Sequence, residues 1–214
     1  MPTPAALTAE KRESILNSAR DAFAEHGYEG ASMSAITHAA GVSKSTVYNH
    51  YRSKAELFGA FVQRECAQML AQHFDDGQMP SGDTAQTLRT IGIGMVELIT
   101  SPVCLMIDRV VTSEAEAFPE LAESFYAAGP QQAITHLSGW LMARTEAGDL
   151  AVQDAEFAAD QFFTLVQTSI YYRCRLRLGR PSPQQTAHVV DSAVAMFLGH
   201  YATERASTEF ASMG

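Results

Sequence analysis

The chain of 214 residues is predicted to be all-α, and three observations carry that prediction. Apolar residues recur at helical spacing along its length, helix-start signals of Ser, Thr or Asp punctuate it at short intervals, and no stretch alternates apolar and polar residues as a half-buried strand does. The expected architecture is a small three-helix head containing a helix-turn-helix, joined by a long helix to a larger helical domain. By residue, the expected division is a tail at 1–8, the head at 9–53, the larger domain at 54–206 and a tail at 207–214.

The first helix starts at Thr8, a residue type that caps N-termini, and its apolar face is Ile15, Ala19, Ala22 and Phe23; Gly27 ends it. Ser32 caps a short helix that stops at Gly41. After a tight connection, Ser43 caps a second short helix, KSTVYNHY, with Val47 turned inward. Ile36, Ala40, Val42 and Val47 supply the small apolar contacts that let two short helices close across a turn. Ser53-Lys54-Ala55-Glu56 has capping-box spacing and opens the long helix LFGAFVQRECAQMLAQHF. DDGQMPSGDT then reads as a loop.

Beyond the loop, Asp83 to Gln86 caps a helix through TLRTIGIGMVELI, and Ser101-Pro102 and Pro119 open two more. Gly129-Pro130 marks a break. Asp154 caps a helix through AEFAADQFFTLVQTSIYYRCRLRLG, and Ser182 to Gln185 form a second capping box before the last helix. IGIGMV follows no strand, so its glycines read as helix packing rather than a dinucleotide loop.

Acidic residues outnumber basic ones 24 to 15, for a net charge of -9, which argues against a protein that coats nucleic acid over its whole surface. Locally the balance reverses. Between Glu29 and Glu56 there is no carboxylate, while His38, Lys44, His50, Arg52 and Lys54 all fall in that gap. A carboxylate within a Debye length of about 8 Å repels a duplex, whereas more distant acid is screened. The N-terminus lacks the pattern of a secretory signal, no apolar run is long enough to span a membrane, and Cys66, Cys104 and Cys174 read as reduced core residues; the expected location is the cytoplasm.

The order helix, short helix, AAGVSKSTVYNHY, then SKAEL over residues 9 to 57 resembles the TetR/AcrR-type bacterial transcriptional regulators, and VVTSEAEAFPELAESFYAAGP looks like the AefR-like subgroup. Thr37 departs from the small alanine usual in the family, Ser45 from a common glycine, and Asn49 stands where the family varies. The resemblance implies a DNA face. Lys44 and Ser34 match base-reading positions, with Lys44 suited to guanine O6 or N7. Thr46, Tyr48 and His50 match positions that face the sugar-phosphate backbone. Ser32 and Ser43 expose amides through their capping, Ser45 and Asn49 share the same short helix, and Lys54 stands in a first turn where a phosphate would accept its ammonium. Tyr51 reads instead as a core residue of the head.

The family likeness further implies an operator-binding homodimer released by a small hydrophobic or amphipathic effector, with no cofactor and no metal. Met69, Met95, Leu98, Met106, Phe125, Trp140 and Phe162 are the candidate effector pocket, with Arg109, Tyr126 and His136 as polar handles. Surplus apolar surface on the last two helices nominates Phe163, Val166, Ile170, Val190, Val194, Phe197, Leu198 and Tyr201 as the dimer interface. From other classes, an enzyme is disfavoured because G-x-S-x-G, H-E-x-x-H, P-loop and paired-cysteine signatures are missing, and His188-x-x-Asp191 reads as an exposed helix face. A helical adaptor with no DNA target is the alternative.

Overall fold

A computed structural model describes residues 8–73 and 83–203, the side chains of 69–73 excepted. The expected tails and the loop from Asp75 lie outside these residues, save for Thr8, Asp83 and Thr84. Ten helices are present among the described residues: α1 Ala9–Gly30, α2 Met33–Ala39, α3 Lys44–His50, α4 Lys54–His73, α5 Thr84–Ile99, α6 Pro102–Glu114, α7 Pro119–Ala128, α8 Pro130–Glu146, α9 Ala155–Arg175 and α10 Pro183–Tyr201. A single antiparallel bridge, Leu150 to Ala202, is the sole strand-like pairing among them.

The helix starts follow the short polar residues before them, because the first amides of a helix have no partner of their own. Side-chain oxygens of Thr8, Ser32, Ser43, Asp83, Asp154 and Ser182 each accept from the amide three residues on. Ser182 and Gln185 complete the reciprocal box. At α4 the box is offset: Ser53 Oγ accepts from Glu56 N at 3.1 Å, while the Glu56 carboxylate accepts from Arg52 N at 2.7 Å. α1 runs three residues past Gly27, which interrupts it at φ 71 and ψ -178, a backbone state that costs glycine little.

The chain divides into two compact units, residues 1–67 with 106–129, and 68–105 with 130–214. The first unit holds α1 to α3, the first part of α4, most of α6 and all of α7. Its core is Ile15, Leu16, Phe23, Ile36, Val47, Leu57, Phe58 and Phe61, all at most 1% exposed. Phe23 meets Phe58 edge-on at 5.1 Å between centroids. α7 lies close on α4, since a Cβ on Gly59 would stand 3.3 Å from Ser124 Oγ and one on Gly129 3.2 Å from Cys66 Sγ. That close packing is why α7 clusters with the head's helices.

The second unit is built on α5, α8, α9 and α10, around Leu88, Ile91, Met95, Leu137, Phe162, Val166, Val190 and Phe197. Gly92 lets α5 approach its neighbours: a Cβ there would fall 2.8 Å from Val190 Cγ1 and 3.3 Å from Val166 Cγ1. Gly92 of IGIGMV therefore serves helix packing. The expected dimer-interface residues need correcting. Phe163, Val166, Ile170, Val190, Val194, Phe197 and Leu198 are all buried in this unit's own core, and the half-buried Tyr201 donates to Gln161 Oε1 at 2.6 Å. Helical periodicity identifies an apolar stripe but not what covers it. The uncovered apolar side chains on α9 and α10 are Phe157, Tyr172 and Met196, at 56%, 63% and 60% exposure.

Candidate nucleic-acid interface

α2 and α3 are joined by a turn in which Gly41 has φ +66, the left-handed value that glycine alone adopts freely. Val42 N donates to Thr37 O at 3.3 Å across the turn. Thr37 is buried, and its hydroxyl bonds the Met33 carbonyl at 2.6 Å, which accommodates a polar side chain where a smaller apolar one would also fit. Val47 is fully buried and Tyr51 is 6% exposed, so both anchor α3 to the core from its inner face.

The outer face is polar. Ser32, Ser34, Ser43, Lys44, Ser45, Tyr48 and Asn49 are exposed, and Thr46 and His50 are half-exposed. At the start of α3 the hydroxyls cluster: Ser43 Oγ lies 2.9 Å from Ser45 Oγ and 2.7 Å from Thr46 Oγ1, and accepts from Thr46 N at 3.1 Å. Tyr48, 45% exposed, presents its phenol outward while Val47 beside it points inward. Arg52, exposed just past α3, is a further cation on this carboxylate-free stretch that the sequence reading left unassigned.

Lys54 is the member of the expected DNA set that the geometry removes. Its ammonium donates to the carbonyls of Tyr28, Glu29 and Ala31 at 2.6, 3.0 and 3.1 Å, and stands 4.5 Å from the centre of the Tyr28 ring. All three N–H donors are thereby committed inside the protein. A lysine disfavoured by its own helix's positive end instead caps the carbonyl end of α1, where a cation is favoured. Tyr28 is shared further, meeting Phe118 edge-on at 5.2 Å and Phe58 at 5.6 Å. Burial pushes its phenol up to about 12, with Glu120 and then Glu114 adding to the rise.

A second polar anchor ties α4 to α1. Arg64, 8% exposed, donates through Nη1 to Glu13 Oε2 at 3.1 Å and Asn17 Oδ1 at 2.9 Å, and through Nε to Glu65 Oε1 at 3.0 Å; its Nη2 also bonds Glu65. Burial, and secondarily Glu65, pushes the neighbouring Cys66 thiol up to about 11. Cys174 is buried, whereas Cys66 and Cys104 are half-buried rather than core residues.

The expected effector residues are shared between the two units. Met95 and Phe162 are buried within the core of the second unit, and Leu98 and Trp140 pack against it. His136, on α8, has Nδ1 buried with no hydrogen-bond partner among the described residues. Met106, Arg109, Phe125 and Tyr126 belong to the first unit, with Arg109 and Tyr126 exposed; Met69's side chain lies outside the described residues.

A short exposed helix held by its inner face, preceded by a tight glycine turn and stripped of carboxylates, defines a helix-turn-helix DNA-binding regulator. Residues 15–61 match the bacterial regulatory proteins of the tetR family, and residues 86–203 match the AefR-like transcriptional repressor C-terminal domain. The chain belongs to the TetR family of transcriptional regulators, which are not enzymes. It is similar to the HTH-type transcriptional repressor AcnR of Corynebacterium efficiens, with 38% identity over 66 residues, 31% of this chain and 35% of AcnR. The similarity thus spans about a third of that relative. Across the whole chain it is similar to a TetR family regulator from Pseudomonas syringae pv. tomato, with 33% identity, a TM-score of 0.69, and coverage of 92% of this chain and 99% of that one. The flavonoid-responsive regulator FrrA matches at 26% identity and a TM-score of 0.80, over 92% of this chain and all of FrrA.

Proposed function

We propose that this chain is a ligand-released repressor that binds a palindromic operator as a homodimer in the bacterial cytoplasm, at the nucleoid. The observation that carries the reading is the outer face of α2 and α3, where exposed Lys44, Ser34, Tyr48 and Asn49 stand on a stretch with no carboxylate from Glu29 to Glu56. Lys44 donates to base edges in the major groove, while Tyr48, Thr46, His50 and the Ser43–Ser45 hydroxyls contact backbone oxygens and set the register. Residues 9–53 are the DNA-reading head and 54–206 the sensing and dimerising part.

The dimer interface uses the outward faces of α9 and α10, where Phe157, Tyr172 and Met196 are exposed, rather than the buried stripe. Effector sensing is supported by His136 Nδ1, buried and without a hydrogen-bond partner among the described residues, on the same helix as Trp140. A buried polar atom without a partner costs about 1–3 kcal/mol, which a ligand's hydroxyl or amide recovers on binding. The flavonoid-responsive relative is consistent with a small, partly apolar effector. Linkage requires that the effector prefer the conformation that does not fit DNA.

Selection of bound duplexes from a random pool, followed by footprinting, tests the reading. The expected result is an inverted repeat whose half-sites lie about 34–36 Å apart or a multiple of it. Enrichment of no common sequence would overturn it.

A further inference from the structure

A second carboxylate-free stretch lies far from the head in sequence. Between Asp160 and Asp191 there is no Asp or Glu, and Arg173, Arg175, Arg177 and Arg180 all fall there, in a chain of net charge -9. The same electrostatic logic applies: a local cationic surface on an acidic protein is where an anion approaches.

Two of them, Arg173 and Arg180, border two adjoining clefts that share Arg180 and Pro181. The larger, of about 460 Å³, runs between α5 and the start of α10, with Ile93, Val96, Pro181 and Ala187 supplying apolar wall. Its size falls within the range of roughly 300–1,000 Å³ that holds small organic molecules. The smaller, of about 200 Å³, sits between the end of α9 and the start of α10, and Arg173 and His188 line it. It falls below that range, so it accommodates no more than an extension of a head group.

The charges along the larger cleft are unequal. Arg180 is held at the end of α5 by donating Nη2 to Thr100 O at 2.7 Å, and no described carboxylate lies within ion-pair distance of it. Arg89 stands eleven residues earlier on α5, about 16 Å along the helix at 1.5 Å per residue. It is neutralised by Asp191, whose Oδ1 accepts from Arg89 Nε at 2.7 Å; exposed Glu97, on the same helix, stands nearer the Thr100 end. One end therefore offers an unpaired guanidinium, a group suited to a carboxylate or phosphate, and the other offers no net positive charge.

We propose that this cleft is a binding site for an amphipathic organic monoanion, independent of the operator reading. The anionic head pairs with Arg180, flanked by Arg173. The apolar body lies along Ile93, Val96, Pro181 and Ala187, and the Arg89–Asp191 pair at the far end leaves no unpaired cation for a second negative charge.

The test is calorimetric titration of the full chain, without DNA, with decanoate, decyl phosphate and benzoate, using decanol as the neutral counterpart and sebacate as the dianion. At least one monoanion is expected to bind, with decanol and sebacate weaker. Arg180→Gln is expected to weaken that binding about ten- to a hundredfold, the loss of one charge-assisted contact, and Arg180→Lys to restore part of it. Ala187→Trp, which fills the cleft from its wall, is expected to abolish binding in a protein whose thermal unfolding is unchanged. No binding by any monoanion at about millimolar concentration, or binding that survives both Arg180→Gln and Ala187→Trp, would overturn the proposal. Because no DNA enters the titration, failure here leaves the regulator reading standing, and the reverse also holds.

Discussion

Lys54 separates two physical accounts of the head. If its ammonium grips phosphate, Lys54→Met weakens every DNA sequence alike and flattens the salt dependence of binding by about one unit of slope. The structure instead commits it to the carbonyls of Tyr28, Glu29 and Ala31 and to the face of Tyr28. A hydrogen bond from a charged donor contributes about 1.5–3 kcal/mol net and a cation over a ring about 0.5–1 kcal/mol, but one ammonium serves all four contacts and the terms do not add. With the Tyr28 and Ala31 contacts part-buried and the Glu29 contact exposed, the expected loss is about 2–4 kcal/mol. Urea unfolding followed by circular dichroism reads it as a fall in midpoint at unchanged slope. The same variant, measured at a temperature where it remains folded, should keep the wild-type salt slope on its operator. Stability within about 0.5 kcal/mol of wild type together with a flattened salt slope would refute the reasoning and return Lys54 to the DNA face.

Arg64→Met should destabilise the protein by roughly 3–5 kcal/mol, because it strands the buried Glu65 carboxylate; adding Glu65→Gln should recover part of the loss in the same unfolding assay. Met196→Glu places a carboxylate on the exposed face of α10 and should shift sedimentation equilibrium from dimer to monomer without altering the helical circular dichroism, since the side chain is 60% exposed in the protomer. Alkaline titration tests Tyr28. The fold favours the neutral phenol, so this group's contribution is complete below pH 10 and is lost between pH 10 and about 12; Tyr28→Phe should flatten that part of the stability profile.

The helix starts were legible because a cap is a local object: Ser32, Ser43, Asp83, Asp154 and Ser182 each bond an amide three residues on, within the window a sequence pattern spans. The polar outer face of α3 was legible for the same reason, since buried Val47 dictates which neighbours point outward. Lys54 was misread because its partners lie 23 to 26 residues away and are backbone carbonyls, which carry no residue-type signal. The stripe on α9 and α10 was correctly seen as apolar, but periodicity cannot distinguish the unit's own core from a second copy. Arg180 escaped notice because its anchor, Thr100 O, is 80 residues distant and the carboxylate-free stretch around it carries no helix-turn-helix pattern to attract attention.

The central claim is that DNA approaches the face of α2 and α3 and that carboxylates are missing there for that reason. Asn49→Asp adds one negative charge to the exposed side of α3 at constant shape, and Gln153→Glu adds one at an exposed position in the other compact unit. Fluorescence anisotropy on the selected operator near physiological salt should show Asn49→Asp weakened by roughly tenfold or more, with Gln153→Glu within about twofold of wild type. Equal affinities for the two variants would contradict the account.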